Sequence, residues 1–300
     1  TPLEVKSGSA LGVLKEFCEG VGGTSPDIVL TSRRMRSSMV TECSKNGVDH
    51  IAGVILGRSA MVLAVRSDSA LTGLTVRQVY LALARDVPEK GAFRRNSAIL
   101  WSEIDPGLPE RDIRFHIPPR RDSGRAAFNA LVLEGGCREV PQIRLISGAE
   151  LRVGRCVTPR LERVREIPRA QAVAALLEAP QDTVGVISLA DLLQSGGKLV
   201  GLAVGGIAPE HDTVVQGTYD FASTYYLYAK RGQRLHGGTE AKDLAIDRVI
   251  ADAVREPMVG PGGQVAKLGL IPLSDADRAA QRAVFTVRAD TSGLGSVMGW

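Results

Sequence analysis

What this 300-residue sequence lacks already excludes several kinds of protein. It has no uncharged apolar run of about 18 residues, so no membrane-spanning helix is expected. Aromatic residues make up only 4%, which speaks against a surface that stacks on nucleic-acid bases. Charge of one sign is missing too: 37 Lys and Arg stand against 33 Asp and Glu, a net of +4. So small and scattered an excess gives no ground for a nucleic-acid partner. No internal repeat is present, and the 33 Gly and 15 Pro follow no period. Collagen-like, coiled-coil and low-complexity chains are thereby excluded. Enzyme signatures are equally scarce. There is no Gly-x-Ser-x-Gly elbow, no Walker-type phosphate loop and no His-Glu-x-x-His. His50, His116, His211 and His236 lie far apart, without an acidic partner at a helical spacing. They read as surface or packing residues rather than bases. No Cys-x-x-Cys and no Cys/His cluster occurs, so zinc is not expected. The chain reads as a non-enzyme that needs no cofactor and no metal.

What is present is the balance of a globular protein, 44% hydrophobic and 23% charged, in one large domain or two of ordinary size. Four cysteines fall into two close pairs, Cys18 with Cys43 and Cys137 with Cys156. Three connectivities are open to them, and local pairing is favoured. Two disulfides imply an oxidising compartment; the competing reading is four reduced core thiols in a cytosolic protein. No signal peptide opens the chain, so a leader has been cleaved or the sequence begins inside a longer one.

Strand and helix signals alternate along the chain. Strands are expected at Leu3–Val5, Asp27–Leu30, Ala60–Val65, Ile113–Ile117, Val184–Ile187, Leu199–Val204 and Thr224–Ala229. Helices are expected from Leu11 to Val21, stopped by Gly22-Gly23, from Ser37 to Asn46, and from Thr75 to Ala84. Others should run from Ser123 to Gly135-Gly136, Pro168 to Ala179, Thr239 to Arg255 and Ser274 to about Val284. The capping residues and the three- and four-residue apolar spacing support these helices. Such alternation argues for an α/β fold with mainly parallel sheets, in two lobes at this length. Ser67 to Gly73 is a turn-rich crossing between them, and Thr291 to Trp300 reads as a mobile tail.

Three turns share one physical design. Ser7-Gly8-Ser9-Ala10 and Asp122-Ser123-Gly124-Arg125 each lie between a strand and a helix. A helix start offers unpaired N–H groups and a partial positive charge, which suits an anion. Thr31-Ser32-Arg33-Arg34 ends a strand and adds hydroxyls and guanidinium groups, which grip tetrahedral oxyanions. Ordinary helix capping explains a serine at any single turn as well, and Arg120-Arg121 beside Pro118-Pro119 also reads as a solvated loop.

Longer stretches carry a family likeness. They are Phe17-Cys18-Glu19-Gly20-Val21-Gly22, Pro26-Asp27-Ile28, Ser32-Arg33-Arg34 and Cys43-Ser44-Lys45-Asn46-Gly47. Then come Leu81-Ala82-Leu83-Ala84-Arg85-Asp86-Val87-Pro88, Trp101-Ser102-Glu103-Ile104-Asp105-Pro106 with Leu108-Pro109, and Pro118-Pro119 with Ser123-Gly124 and Ala127-Phe128. The last are Gly205-Gly206-Ile207-Ala208-Pro209, Gly260-Pro261-Gly262-Gly263 and Leu268-Gly269-Leu270-Ile271-Pro272-Leu273. In these the chain resembles the substrate-binding proteins of phosphate ABC transporters, in the branch typical of alphaproteobacteria, over roughly residues 3 to 284. It is a divergent member that begins after the family's usual first strand and helix.

The resemblance implies a type II periplasmic binding protein fold, two α/β lobes with a ligand cleft that closes like a hinge. It implies lobe 1 from residues 1–66 and 211–290, lobe 2 from 67–210, and a tail at 291–300. It also implies a periplasmic setting and an ABC permease as partner. By position it places ligand contacts at Ser7, Gly8, Ser9, Ala10 and Ser32 on one lobe, and at Ser123, Gly124 and Arg125 on the other, with Arg121 and Asp122 on the approach. Two charges at Arg121 and Asp122 replace the family's hydroxyl-rich approach. The expected function is periplasmic binding of phosphate or a similar oxyanion for delivery to the permease. The alternative is a binding-protein fold that has lost its ligand and serves as a structural or assembly subunit of a larger complex.

Overall fold

The computed structural model describes residues 4–232 and 239–289; the side chains of residues 123, 149–152 and 286–289 lie outside that description. In chain order the first elements are α1 (Ala10–Phe17), β1 (Ile28–Thr31), α2 (Ser37–Lys45), β2 (Ile51–Arg66), β3 (Gly73–Leu74), α3 (Val76–Leu83), β4 (Asp86–Glu89) and β5 (Ala92–Arg95). There follow β6 (Phe115–Ile117), α4 (Ser123–Phe128), α5 (Gly135–Arg138), α6 (Ala149–Cys156), β7 (Val164–Glu166), α7 (Ala172–Leu177), β8 (Val184–Ser188) and α8 (Leu189–Gln194). The last are β9 (Leu199–Gly201), β10 (Ala203–Val204), α9 (His211–Gln216), β11 (Ala222–Lys230), α10 (Glu240–Ala253), α11 (Glu256–Val259), α12 (Gln264–Lys267) and α13 (Asp275–Ala289).

The chain divides into two compact units. One takes Thr1–Ser59 and Ser223–Trp300, the other Ala60–Ala222. The divisions fall before the sequence-based boundary at 66/67 and after the one at 210/211.

In the first unit β1 runs antiparallel to β11, with Ile28 opposite Ala229 and Thr31 opposite Tyr226. Alternate residues of a strand face opposite sides, and β11 uses both. Tyr226 and Tyr228 pack into a core with Leu14 and Phe17 of α1, Cys43 of α2 and Val29. Leu227 and Ala229 pack into a second core with Ile246, Ile250 and Ala253 of α10. The disulfide Cys18–Cys43 joins the end of α1 to α2. Buried Lys230 bonds the carbonyl of Gly20 at 2.6 Å and Ser25 Oγ at 2.7 Å, which pins the glycine-rich loop after α1.

In the second unit β6 lies between β7 and β8 and is parallel to both. β8 and β9 pair antiparallel with β2, and β4 with β5 forms a hairpin. The ladders are therefore mixed, not mainly parallel as the alternation of strands and helices suggested. Alternation identifies crossovers but not strand direction, and β2 runs against β8. β2 is also longer than expected, 16 residues rather than the apolar run Ala60–Val65. Gly53, Gly57, Arg58 and Ser59 interrupt the apolar pattern. At Gly57 the missing side chain lets Ile271 come close, since an added Cβ would lie 2.9 Å from the Ile271 carbonyl oxygen. Arg58 and Ile271 exchange backbone bonds there.

Several helix starts follow the capping signals. Ser9 accepts from the Gly12 N–H, Thr75 and Gln78 form a reciprocal capping box, and Thr239 accepts from the Lys242 N–H. The helix expected from Ser123 forms, but it passes through a π-helical turn, Asn129–Glu134, before α5. The disulfide Cys137–Cys156 then ties α5 to α6. Helix α1 ends at Phe17, short of Gly22-Gly23, and of the expected strand Leu3–Val5 the described residues Glu4 and Val5 are in none. The expected tail, Thr291 to Trp300, lies outside the described residues.

Candidate functional site

The first unit brings two of the three anion-type turns together. Ser9 caps α1 from an extended backbone and accepts the Gly12 N–H at 3.0 Å. No acidic residue occupies the first turn of α1, so nothing there neutralises the partial positive charge of the helix start. At the end of β1, Thr31 donates its hydroxyl to the Ala10 carbonyl at 3.1 Å and accepts the Arg33 N–H at 3.1 Å. Thr31 thus laces the β1 turn to the first residue of α1. Ser7, Gly8, Ser9 and Ser32 are exposed, as are Arg33 and Arg34. The hydroxyl of Tyr228 accepts the Met35 N–H at 2.9 Å and fixes the far side of this turn. Burial pushes that phenol above its ordinary range.

In the second unit the remaining anion-type turn lies where the parallel strands end. β6 stops at Ile117, opposite Glu166 at the end of β7, and β8 runs on to Ser188. Ligands of open α/β sheets bind outside such carboxyl ends. Pro118-Pro119 ends β6 and turns the chain into Arg120–Asp122. Asp122 caps α4, and its carboxylate accepts the Gly124 N–H at 2.7 Å. That donor is one the resemblance assigns to an anion, and here an internal carboxylate uses it.

Arg125, expected as a ligand contact, is 4% exposed. Its Nε donates to Asn129 Oδ1 at 3.1 Å, and one Nη donates to the Pro118 carbonyl at 2.7 Å and to Glu166 Oε1 at 2.9 Å. It clamps the start of α4 to the ends of β6 and β7. Arg121 is exposed beside it, Ser123 opens α4, and the side chain of Ser123 lies outside the described residues.

Residues that the sequence reading did not single out complete this edge. They are Glu166, Arg169, Ser188 and Asp191. Ser188 caps α8, and its hydroxyl donates to Asp191 Oδ2 at 2.6 Å. Only the strand register collects them, because they come from two separate segments, one at the end of β7 and one at the end of β8. The Ser188-x-x-Asp191 spacing is a capping signal that was legible in principle. His116 on β6 is buried, and burial with nearby Arg165 lowers its pKa. It is a packing residue, as the sequence suggests. Among the described residues no group of three or more His, Cys, Asp or Glu could hold a metal ion. No helix among them is long and apolar enough to cross a membrane.

Both expected cysteine pairs are disulfides. All four sulfurs belong to buried residues, so neither bridge borders the turns as a nucleophile.

Comparison with solved structures gives the fold. A possible phosphate binding protein from Planctomyces limnophilus superposes with a TM-score of 0.63 at 14% identity, covering 93% of this chain and 84% of that one. PstS from Borrelia burgdorferi superposes at 0.57 and 13% identity, over 88% and 83% of the two chains. An ABC-type phosphate transport receptor from Vibrio cholerae gives 0.50 at 16% identity, over 83% and 80%. No curated protein matches the sequence. The model of the PBP superfamily domain matches residues 1–246. The α/β fold is that of the periplasmic binding proteins, and the chain belongs to the PBP superfamily, a family of substrate-binding proteins and not of enzymes.

Proposed function

We propose that this protein binds phosphate or a similar oxyanion in the periplasm and delivers it to an ABC permease. The observation that carries the reading is the laced pair of turns at the start of α1. There Thr31 joins Ala10 to Arg33, the first turn of the helix has no acidic residue, and the nearby serines and arginines are exposed. Unpaired N–H groups, hydroxyls and guanidinium groups are the donors that a tetrahedral oxyanion accepts from. Within the first unit Ser7, Gly8, Ser9, Ala10 and Ser32 offer such donors; within the second, Arg121 and the turn opened by Ser123 do, while the Gly124 N–H is already taken by Asp122. Arg125 contributes by holding the turn in place. The names of two structural neighbours, a possible phosphate binding protein and a phosphate transport receptor, support the choice of anion. The two disulfides support an oxidising compartment.

Titration calorimetry with phosphate and with sulfate tests this. Saturable phosphate binding that Ser9→Ala or Arg121→Ala weakens about ten-fold supports it, since a hydrogen bond to a charged group contributes roughly 1.5–3 kcal/mol. Binding unaffected by either change places the anion elsewhere.

A second reading has its own observation. Asp122 already accepts the Gly124 N–H, and Arg125 is engaged within the fold through its Nε and one Nη. A chain that has lost its ligand and become a structural or assembly subunit would show such internal satisfaction of the old donors. Failure to bind any oxyanion at millimolar concentration selects this second reading.

A further inference from the structure

Two exposed arginines of the Ala60–Ala222 unit stand in the same relation to a carboxylate. Arg120 lies 4.0 Å by its Nε from Glu166 Oε1, and that oxygen is already held by Arg125 at 2.9 Å. Arg169 lies 3.9 Å by its Nε from Asp191 Oδ2, and that oxygen is already held by the Ser188 hydroxyl at 2.6 Å. In each case the carboxylate has a shorter, more buried partner. The arginine waits at the outer limit of an ion pair, beyond the roughly 2.7–2.9 Å of a charge-assisted hydrogen bond. Arg120 is 72% exposed and Arg169 is 65% exposed, so both attractions are weak and exchangeable. Both arginines follow the carboxyl ends of parallel strands, β6 and β7, where such sheets take ligands.

We propose that Glu166 and Asp191 are internal counter-ions that hold Arg120 and Arg169 until an oxyanion carrying two or more negative charges takes both guanidinium groups over. The proposal rests on the oxyanion reading above and names further contacts for the same edge. The exchange leaves neither carboxylate stranded, because Glu166 keeps Arg125 and Asp191 keeps Ser188. A multiply charged oxyanion offers each guanidinium the two parallel bonds that its present partner does not. The counter-ions therefore weaken binding while keeping the empty edge close to charge balance.

The test is a calorimetric titration of the parent chain, Glu166→Gln, Arg120→Ala and Arg169→Ala with inorganic phosphate and with pyrophosphate, each variant also melted. Glutamine leaves Arg125 an oxygen acceptor and removes the charge that competes for Arg120. Glu166→Gln should bind roughly two- to five-fold tighter, the size of one exposed ion pair. Arg120→Ala and Arg169→Ala should bind at least that much more weakly, and the differences should shrink at high salt. A purely structural Glu166 predicts the opposite sign, so weaker or unchanged binding in Glu166→Gln overturns the proposal. If Glu166→Gln melts far below the parent, Asp191→Asn is read by the same sign. Parent binding that neither arginine variant weakens overturns the proposal and leaves the oxyanion reading standing. Binding by Glu166→Gln alone supports the counter-ions and removes the reading for the parent. No binding by any chain overturns both.

Discussion

Two buried cations show how a side chain's surroundings decide its role. Arg125 looks in sequence like a ligand arginine beside a Ser-Gly turn. In the structure its guanidinium is used by Asn129, Pro118 and Glu166. Arg125→Ala should lower stability by about 2–4 kcal/mol, less than the full penalty of orphaning a buried charge because Glu166 is a third exposed. A denaturant melt checks this, and an unchanged midpoint would show that the clamp carries little. Lys230 is the second case. Burial is the main force lowering its pKa, to about 8 from 10.5; Lys242 adds to the effect, while Asp27 and Glu19 oppose it. Between those values the unfolded chain keeps a proton that the folded chain has lost, so stability rises as pH rises through the window. The gain is on the order of 3 kcal/mol at most. Comparing melts at pH 8 and pH 10 for the parent and for Lys230→Met isolates it. An equal pH dependence in both chains contradicts the assignment.

At the scale of elements, local chemistry was legible and close approach was not. Ser9, Thr75 and Thr239 announced their helices by capping, and each does cap one. The hairpin β4–β5 gave little signal because Pro88 and the charged residues on either side hide the alternation. The π-helical turn had no signal at all; it leads into α5, which packs against α3. There Gly136 lies so near α3 that an added Cβ would stand 2.3 Å from the Val76 carbonyl oxygen and 2.6 Å from Tyr80 Cβ. Gly136→Ala should therefore destabilise by about 3 kcal/mol, the upper range for overpacking. Gly135→Ala is the control, because its added Cβ meets Val76 Cγ1 at an ordinary 3.7 Å. It should be neutral or slightly stabilising through helix propensity. Equal melting temperatures for the two variants would refute this account of the α3–α5 contact.

For the molecule as a whole, a strand-and-helix alternation, four cysteines in two close pairs and a set of family-like stretches pointed to an α/β binding protein. The superfamily match and both disulfides agree with that. The candidate site was only partly legible, and the reason is topological. Ser9 with Ala10 and Asp122 with Arg125 are local in sequence, so turn chemistry finds them. Glu166, Arg169, Ser188 and Asp191 join the edge only through the register of β6, β7 and β8. Nor could the sequence show that Asp122 takes the Gly124 N–H for itself. Each bridge closes a loop within one unit, so replacing Cys137 and Cys156 by Ala should cost about 3 kcal/mol in the chain-entropy description. Melting of that variant against the parent checks it, and an equal midpoint would discount the bridge. The central claim is that this fold serves to bind an oxyanion. Calorimetric titration of the full chain with inorganic phosphate tests it most directly. The account predicts saturable, one-to-one binding that Ser9→Ala and Arg121→Ala weaken about ten-fold. The absence of any binding heat at millimolar phosphate and sulfate would contradict it, and would leave the chain as a binding-protein fold turned to a structural role.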